Sequence, residues 1–194
     1  MKLAIAGMLT GISLVVLAAC NGSAQPDGAK LIAYQVDAAR ERSWWLTKEG
    51  AVLHSAADAA KKIALPEWLW AADPYCPPGL AIGPDGEAVV TSNVVPVLWR
   101  IDPRSLAVTI HELALNADTG KDVGFAAIVY SPEQKALIAY SEQRSVWKID
   151  LELKGATKLA DTDLSRPGPQ RARNLQRPCA ELPQRLGRIA NTND

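Results

Sequence analysis

The chain has 194 residues, which is enough for one domain with a hydrophobic core or for a short array of repeats. Its 21 Lys and Arg residues balance 21 Asp and Glu residues, so the overall charge gives no indication of a nucleic-acid or strongly acidic partner. Every Trp, Tyr and Phe lies between residues 34 and 147, so we expect the ordered core there.

Residues 1–19 have the features of an export signal. Lys2 supplies a positive charge, and residues 3–19 are almost entirely apolar but too few for a typical transmembrane helix. The segment ends in Leu-Ala-Ala-Cys at residues 17–20, which resembles the lipobox of bacterial lipoproteins. The resemblance implies cleavage before Cys20 and lipid attachment to its Sγ, with the chain anchored to the membrane by that lipid. An ordinary signal peptide and an uncleaved anchor are the alternatives.

The lipobox resemblance also bears on localisation. Asn21, rather than Asp, follows Cys20. In enterobacterial lipoproteins this favours the outer membrane over the inner membrane. We therefore expect the chain in the cell envelope, at the outer membrane and facing the periplasm, with residues 20–29 as a tether.

Export changes how the remaining cysteines are interpreted. Once Cys20 carries lipid, Cys76 and Cys179 form an even pair in a compartment that permits disulfides. Sequence alone leaves open whether they are bonded or are two independent thiols, because the geometry is not visible. Without a CxxC motif, and with His54 and His111 as the only histidines, these cysteines do not form a zinc-binding motif.

The middle of the chain repeats. A shift of 48 residues aligns Trp-Arg-Ile-Asp at residues 99–102 with Trp-Lys-Ile-Asp at 147–150 without a gap. A period in the forties with four short apolar runs per unit is typical of β-propeller blades. We therefore predict an all-β fold, a partial β-propeller of about three four-stranded blades. The predicted units are residues 30–72, 79–118 and 124–164.

Alternating apolar residues between turn motifs predict the strands of the second and third units. Pro-Asp-Gly at residues 84–86 predicts a tight turn. Trp99 and Ile101 should face one side of their strand, with Leu98 on the other side. The predicted strands are 80–82, 87–91, 98–101 and 106–113 in the second unit, and 125–130, 136–140, 146–151 and 156–159 in the third.

The first unit is predicted from a repeated tetrapeptide. Leu-Ile-Ala-Tyr occurs at residues 31–34 and again at 137–140, where it forms the second predicted strand of its unit. The repeat predicts that the first blade is incomplete and begins with its second strand, and that residues 51–54 start its fourth. Trp45 would then align with Trp99 and Trp147, and all three would pack between neighbouring sheets.

Residues 55–78 interrupt the repeat. Residues 55–62 have a helix-forming composition, and residues 66–78 are rich in aromatic residues and proline. Because propellers use such inter-blade segments to form the rim of the central tunnel, Trp70, Asp73 and Tyr75 are our candidates for ligand contact. The alternative is a purely structural loop fixed by its prolines.

Residues 165–194 differ in composition from the repeat. They are rich in Arg and Pro and contain neither Lys nor aromatic residues, which predicts an irregular, disordered tail. The tail could be a basic arm for anionic lipid, although its scattered arginines disfavour nucleic acid. A truncated or frame-shifted gene is the interpretation we favour. The third interpretation is a three-blade arc whose open edges are covered by a partner or a second copy.

No catalytic motif stands out, and we predict no cofactor. There is no G-x-S-x-G elbow and no HExxH. The P-D-G and W-[RK]-I-D patterns make residues 30–160 similar to NHL and lactonase-like propellers. That resemblance implies a tunnel metal held by Glu, Asn and Asp. Asn93 and Asn116 are candidates for this metal, but no matched set of ligands carries over from the family.

Two functional classes remain. The first is a noncatalytic binding or scaffold lipoprotein with an envelope protein as its partner. The second is a periplasmic hydrolase of the lactonase type, which would need a divalent metal; a truncated product without its own activity is a further alternative. We prefer binding or scaffolding because the repeats carry no convergent cluster of acidic residues.

Overall fold

The structure is a computed structural model, and it describes residues 30–72, 74–119, 122–161 and 178–191. The predicted signal peptide, the tether with Cys20, and Asp73 lie outside the described residues.

Within the described residues the chain forms three sheets in sequence order, which we call sheets 1, 2 and 3. Sheet 1 contains β1 (Leu31–Asp37), β2 (Arg42–Thr47), β3 (Gly50–Ser55) and β4 (Lys61–Ile63). Sheet 2 contains β5 (Leu80–Ile82), β6 (Ala88–Thr91), β7 (Val97–Ile101) and β8 (Val108–Glu112). Sheet 3 contains β10 (Phe125–Ser131), β11 (Ala136–Ser141), β12 (Ser145–Ile149) and β13 (Gly155–Asp161), with β9 (Ala114–Leu115) at its edge.

Apart from β9, the strands of each sheet form an antiparallel meander and pair in chain order. The Pro-Asp-Gly turn joins β5 to β6, and Gly86 adopts φ +83°, a conformation that disfavours a residue with a Cβ. The first strands of successive sheets, β1, β5 and β10, lie side by side. Strand β9 leaves sheet 2 and pairs parallel to β13, which links the outer edge of sheet 3 to sheet 2. The prediction of an all-β, partial propeller is confirmed.

Sheets 1 and 2 share an apolar core and a charged clamp. Trp44 and Trp99 are almost fully buried in this core, where they pack among residues of both sheets. Beside it, the Arg42 guanidinium donates hydrogen bonds to the Asp37 carboxylate and to the carbonyls of Gly86 and Pro103, each at 2.9 Å. Because two of these acceptors lie in the turns of sheet 2, Arg42 ties the two sheets together.

Sheets 2 and 3 share a second core. Trp147 contacts Phe125 edge to face, with ring centroids 6.1 Å apart, and Leu98 joins them from the opposite sheet. The buried Thr91 hydroxyl donates to the Phe125 carbonyl at 2.6 Å and accepts from the Gly79 N–H at 2.7 Å. The strands predicted for the second and third units are confirmed, and so are the facing directions of Trp99, Ile101 and Leu98.

The prediction for the first unit is wrong in its strand positions. Sheet 1 has four strands, so the blade is not incomplete, and the first Leu-Ile-Ala-Tyr lies in β1, the first strand. The second copy lies in β11, the second strand of its sheet. A short apolar run fits any strand that is half-covered, so this match did not indicate an equivalent position.

Trp45 is therefore not equivalent to Trp99 and Trp147. Adjacent residues of a strand face opposite sides, so Trp44 enters the core with sheet 2 while Trp45 faces outward. There its ring lies 5.2 Å from Tyr34 and 5.1 Å from His54, centroid to centroid. Residues 55–62 do not form a helix either, because a bend follows β3 and leads into β4.

Part of the predicted tail is helical, so the prediction of an irregular, disordered tail is wrong for residues 178–190, whereas residues 165–177 and 192–194 lie outside the described residues. Helix α1 (Pro178–Ala190) packs on the outer face of sheet 3, the face turned away from sheet 2. Leu182, Leu186 and Ala190, spaced by one helical turn, are almost completely buried there. A single narrow stripe of small and aliphatic residues gave too weak a signal within the Arg- and Pro-rich composition. These contacts do not fit the frame-shift interpretation of residues 178–190.

Of the described helices, none is long and apolar enough to span a membrane.

Candidate functional site

The candidate site is built on the stretch between sheets 1 and 2, residues 64–79, which we call the crossing segment. It connects β4 to β5, and its residues form hydrogen bonds with Thr91 and Asn93 at the end of β6 and with Glu142 at the end of β11. It contains Trp70 and Tyr75, two of the three residues predicted to contact a ligand. Asp73, the third, lies outside the described residues.

Asn93 fixes the backbone of the crossing segment. Its side chain is 1 % exposed and forms three hydrogen bonds to that backbone. The Oδ1 atom accepts from the Ala71 N–H at 2.8 Å, while Nδ2 donates to the Ala71 carbonyl at 2.7 Å and to the Cys76 carbonyl at 2.8 Å. A buried amide that is satisfied in this way fixes the backbone at Ala71 and at Cys76.

Two indoles fix the first half of the segment. Trp68 Nε1 donates to the Thr91 carbonyl at 3.0 Å, and Trp99 Nε1 donates to the Pro66 carbonyl at 2.7 Å. The Trp70 ring stacks on Trp68 with centroids 5.6 Å apart and an angle of 29° between the ring planes. Trp70 therefore has a partner within its own segment, which supports a role in holding the loop.

Two large apolar side chains of the segment project into solvent. Leu69 is 55 % exposed and Tyr75 is 46 % exposed, although the backbone on either side is hydrogen-bonded to sheet 2. We call these two side chains the rim patch. Each of these two side chains combines exposed apolar area with a hydrogen-bonded support, which are the properties of a contact residue for a partner.

Glu142, at the end of β11, lies under the crossing segment. Its burial raises the pKa of the carboxyl to about 7, while a hydrogen bond from the Cys76 N–H acts in the opposite direction. Among the described residues Oε1 is buried and has no hydrogen-bond partner. A half-buried carboxyl group with an unsatisfied oxygen favours the protonated form.

A disulfide joins the crossing segment to the C-terminal helix. Cys76 and Cys179 are bonded with their Cα atoms 5.4 Å apart, across a sequence separation of 103 residues. The bond connects the segment that carries Tyr75 to α1, and hence to the outer face of sheet 3.

The residues considered for a metal do not converge. Asn93 is saturated by the crossing segment, and Asn116 Oδ1 accepts a hydrogen bond from the Lys158 N–H at 2.8 Å. His54 contacts Trp45 on sheet 1, whereas His111 lies on β8 beside Thr109. Within the described parts of the chain, no group of three His, Cys, Asp or Glu residues could hold a metal ion.

An open groove of about 540 Å³ lies at the other edge of sheet 3, between β9 and the turns of that sheet. Its charged lining includes Lys148 and Asp150. The Asp150 carboxylate already accepts hydrogen bonds from the N–H groups of Lys154 and Gly155, at 3.0 and 2.6 Å. This carboxylate therefore shapes the turn, as its position in the repeat indicates.

Sequence reasoning missed Glu142 and the structural task of Asn93. Both follow the second strand of their sheets, in short loops without a motif. Their roles depend on the crossing segment, which is distant in sequence from each of them. Only the proline and aromatic content of that segment indicated that it would be fixed in place.

No protein-family model matches the sequence, and a search of curated proteins finds no match. Among solved structures, virginiamycin B lyase from Staphylococcus aureus is 16 % identical, with a TM-score of 0.44 over 61 % of this chain and 37 % of that one. Kuenenia stuttgartiensis hydrazine synthase is 11 % identical, with a TM-score of 0.47 over 73 % and 40 %. Myxococcus xanthus glutaminyl cyclase is 18 % identical, with a TM-score of 0.46 over 69 % and 55 %.

The chain thus spans between 37 % and 55 % of the length of these three structures. At such identities and TM-scores the likeness carries no argument about activity. The fold assignment rests on the sheets themselves, and the functional argument rests on this chain's own residues.

Proposed function

We propose that the chain is an exported lipoprotein, anchored through Cys20 at the outer membrane and facing the periplasm, which binds or scaffolds another envelope protein. The observation that carries the binding function is the rim patch, Leu69 and Tyr75, held on a rigid segment. Export is supported by the lipobox-like sequence at residues 17–20 and by the disulfide between Cys76 and Cys179.

The rim patch favours a protein partner for energetic reasons. Binding hot spots are enriched in aromatic residues, and their contribution is largest when little conformational entropy is lost on association. Asn93 fixes the backbone on both sides of Tyr75, at Ala71 and Cys76, before any partner arrives. An exposed Leu and Tyr on such a support can bury apolar area without first ordering a loop.

The disulfide favours an oxidising compartment. Disulfides form and persist in the periplasm and outside the cell, whereas cytosolic thiols are kept reduced. A cross-link between Cys76 and Cys179 therefore fits an exported chain, and it leaves Cys20 as the cysteine available for lipid.

Lipid attachment is tested by growing cells that express the full chain with radiolabelled palmitate. We expect label in the wild-type protein and in Cys76→Ser, and none in Cys20→Ser. Fractionation of the envelope should place the labelled protein with the outer membrane. Two results would contradict the lipid anchor. One is label that remains in Cys20→Ser, and the other is a wild-type chain that carries no label and is recovered in the soluble fraction.

Binding is tested by site-specific photo-crosslinking in the envelope. A photoreactive phenylalanine analogue is placed at residue 69 or 75, and at Ile110 or Leu159 as controls, which are 42 % and 47 % exposed on sheets 2 and 3. We expect one discrete cross-linked protein from the rim positions only. Its recovery should fall about tenfold or more when the other rim residue is changed to Ser. Equal capture from all four positions, or lactone turnover that a chelator abolishes, would overturn the proposal.

A further inference from the structure

Helix α1 covers the face of sheet 3 on which another sheet would pack in a longer propeller. Leu182, Leu186 and Ala190 are each 1 % exposed or less against this face. The Ser131 hydroxyl adds a hydrogen bond to the Ala190 carbonyl at 2.7 Å. The residues of sheet 3 that the helix covers are Ala126, Ala127, Ile138, Tyr140 and Val146. The helix is therefore a cap on the end of the sheet array.

The cap has little intrinsic stability as a helix. It is 13 residues long, and it contains Pro183 and Gly187 in its interior. Isolated helices of this length are marginal in water, and both residues lower helix stability further. Helix α1 therefore depends on its contacts with sheet 3 and on the covalent bond at Cys179.

Cys76, the other cysteine of the disulfide, lies in a segment that is held by contacts of its own. Cys76 lies in the crossing segment, where its carbonyl accepts a hydrogen bond from Asn93 and its N–H group contacts Glu142. The Asn93 and indole bonds described above hold this segment without any contribution from the disulfide. The two cysteines thus join an element fixed by its own contacts to a helix that depends on its contacts with sheet 3 to form.

We infer that α1 is a redox-locked cap: reduction of the Cys76–Cys179 disulfide releases the helix from sheet 3 and leaves the crossing segment in place. The reductant is a dithiol. One of its thiolates attacks a sulfur of the protein disulfide, so that the S–S bond breaks, a mixed disulfide forms and the other protein sulfur leaves as a thiolate that takes up a proton. The second thiolate of the reductant then attacks the reductant's own sulfur in the mixed disulfide and displaces the remaining protein sulfur, which is protonated in turn. Two electrons pass to the protein, which then holds two thiols, and the dithiol becomes a disulfide.

Release would change the end of the array. The apolar residues under the helix, including Ile138 and Val146, would become exposed, while the rim patch would keep its support from Asn93. Reoxidation would bring α1 back, because Cys76 remains at the position where the bond forms.

Hydrogen exchange of the full chain with and without dithiothreitol tests this inference. We expect amides of residues 182–190 to exchange about tenfold faster or more after reduction, and amides of residues 68–71 to change less than about twofold. Removal of the reductant under oxidising conditions should restore protection. Unchanged protection of α1 would overturn the inference, and so would an equal loss in the crossing segment.

Variants separate the contribution of the disulfide from that of the packing of α1 on sheet 3. Cys179→Ser should reproduce the reduced pattern without reductant. Leu186→Ser, with the disulfide intact, should lose α1 protection even in the oxidised chain, whereas Leu159→Ser, a change on the exposed surface of β13, should not. If Cys179→Ser retains full protection of α1, the helix is held by packing alone and the disulfide is not a lock.

Discussion

The outer faces of sheets 1 and 3, the two end sheets, differ in how far they are covered. The outer face of sheet 3 is covered by α1, and its residues Ile138 and Val146 are almost completely buried. The outer face of sheet 1 leaves Tyr34 and Val36 exposed, at 42 % and 57 %. Both sheets bury the face that is turned toward sheet 2, so the difference lies in what stabilises each sheet from outside.

This difference shows that the ends of an open array can be stabilised in two ways. Sheet 3 has apolar contacts on both faces, and the helix that covers its outer face is covalently bonded to the crossing segment. Sheet 1 buries Trp45 and Val52 on its outer face but leaves Tyr34 and Val36 exposed there, and it has the clamp of Arg42 on Asp37 and on the turns of sheet 2. We therefore expect sheet 1 to be most sensitive to loss of a charge, and sheet 3 to loss of a buried apolar group.

The largest effect should come from the clamp. Arg42→Ala removes three hydrogen bonds and, among the described residues, leaves the buried Asp37 carboxylate with only the longer contact to Arg40. We therefore expect a loss of about 3–5 kcal/mol in the free energy of unfolding. Urea denaturation measures it. Arg40→Ala is the matched control, because its side chain is 39 % exposed and lies 3.4 Å from Asp37, and it should cost less than about 1 kcal/mol. Equal effects of the two changes would show that Arg42 is not a clamp.

The next effect compares the outer faces directly. Leu186→Ala empties a fully buried site on sheet 3 and should cost about 2–4 kcal/mol, whereas Val36→Ala, on the exposed face of sheet 1, should cost less than about 0.5 kcal/mol. The same denaturation assay, under oxidising conditions, gives both values. A loss at Val36 as large as that at Leu186 would mean that the outer face of sheet 1 is covered in solution.

The comparison also explains what the sequence could reveal. Strands in sheets 2 and 3 were predictable because Trp99 and Trp147 occupy the same position in two aligned meanders, where alternation and turn residues agree. Sheet 1 was misread because Trp44 and Trp45 are adjacent, so composition could not show which indole faces the core. The position of β1 depends on its tertiary contact with β5, which the local sequence does not show.

The cap and the site were harder to predict for a related reason. Among the side chains of α1 that the structure describes, three are strongly buried, and they pack on the face of sheet 3, far away in sequence. Asn93 and Glu142 acquire their roles only when the crossing segment lies over them. In contrast, the aromatic and proline content of the crossing segment identified it as fixed structure before any contact was known.

A smaller effect should be a pH dependence of stability caused by Glu142, at the end of β11 in sheet 3. Burial raises the pKa of Glu142 to about 7 from an unfolded value near 4.5, so the folded state binds the proton more tightly. The resulting stabilisation is complete below about pH 4.5 and is lost as the pH rises to about 7. Because the side chain is half-buried, we expect about 1 kcal/mol.

Denaturation of wild type and Glu142→Gln at pH 5 and pH 8 measures this effect. The wild type should lose stability across the interval relative to the variant, in which the group cannot ionise. Glu152→Gln, at an exposed turn of the same sheet, serves as the control and should follow the wild type. A Glu142→Gln profile parallel to that of the wild type would place the pH dependence elsewhere.

The smallest effect should be a gain in stability at the cap. Gly187 lies within α1, and a Cβ built there meets no atom within 4 Å, so Gly187→Ala adds helix propensity without a clash. We expect about 0.5–1 kcal/mol of added stability. Gln184→Ala, at an exposed position of the same helix, should change stability by less. The gain from Gly187→Ala should appear as slower exchange of α1 amides, and it should be larger in the reduced chain, where helix propensity contributes more to keeping α1 on sheet 3. If exchange became slower only at amides of sheet 1, α1 would not be stabilising the face of sheet 3 that it covers. The proposed difference between the two end sheets would then be wrong.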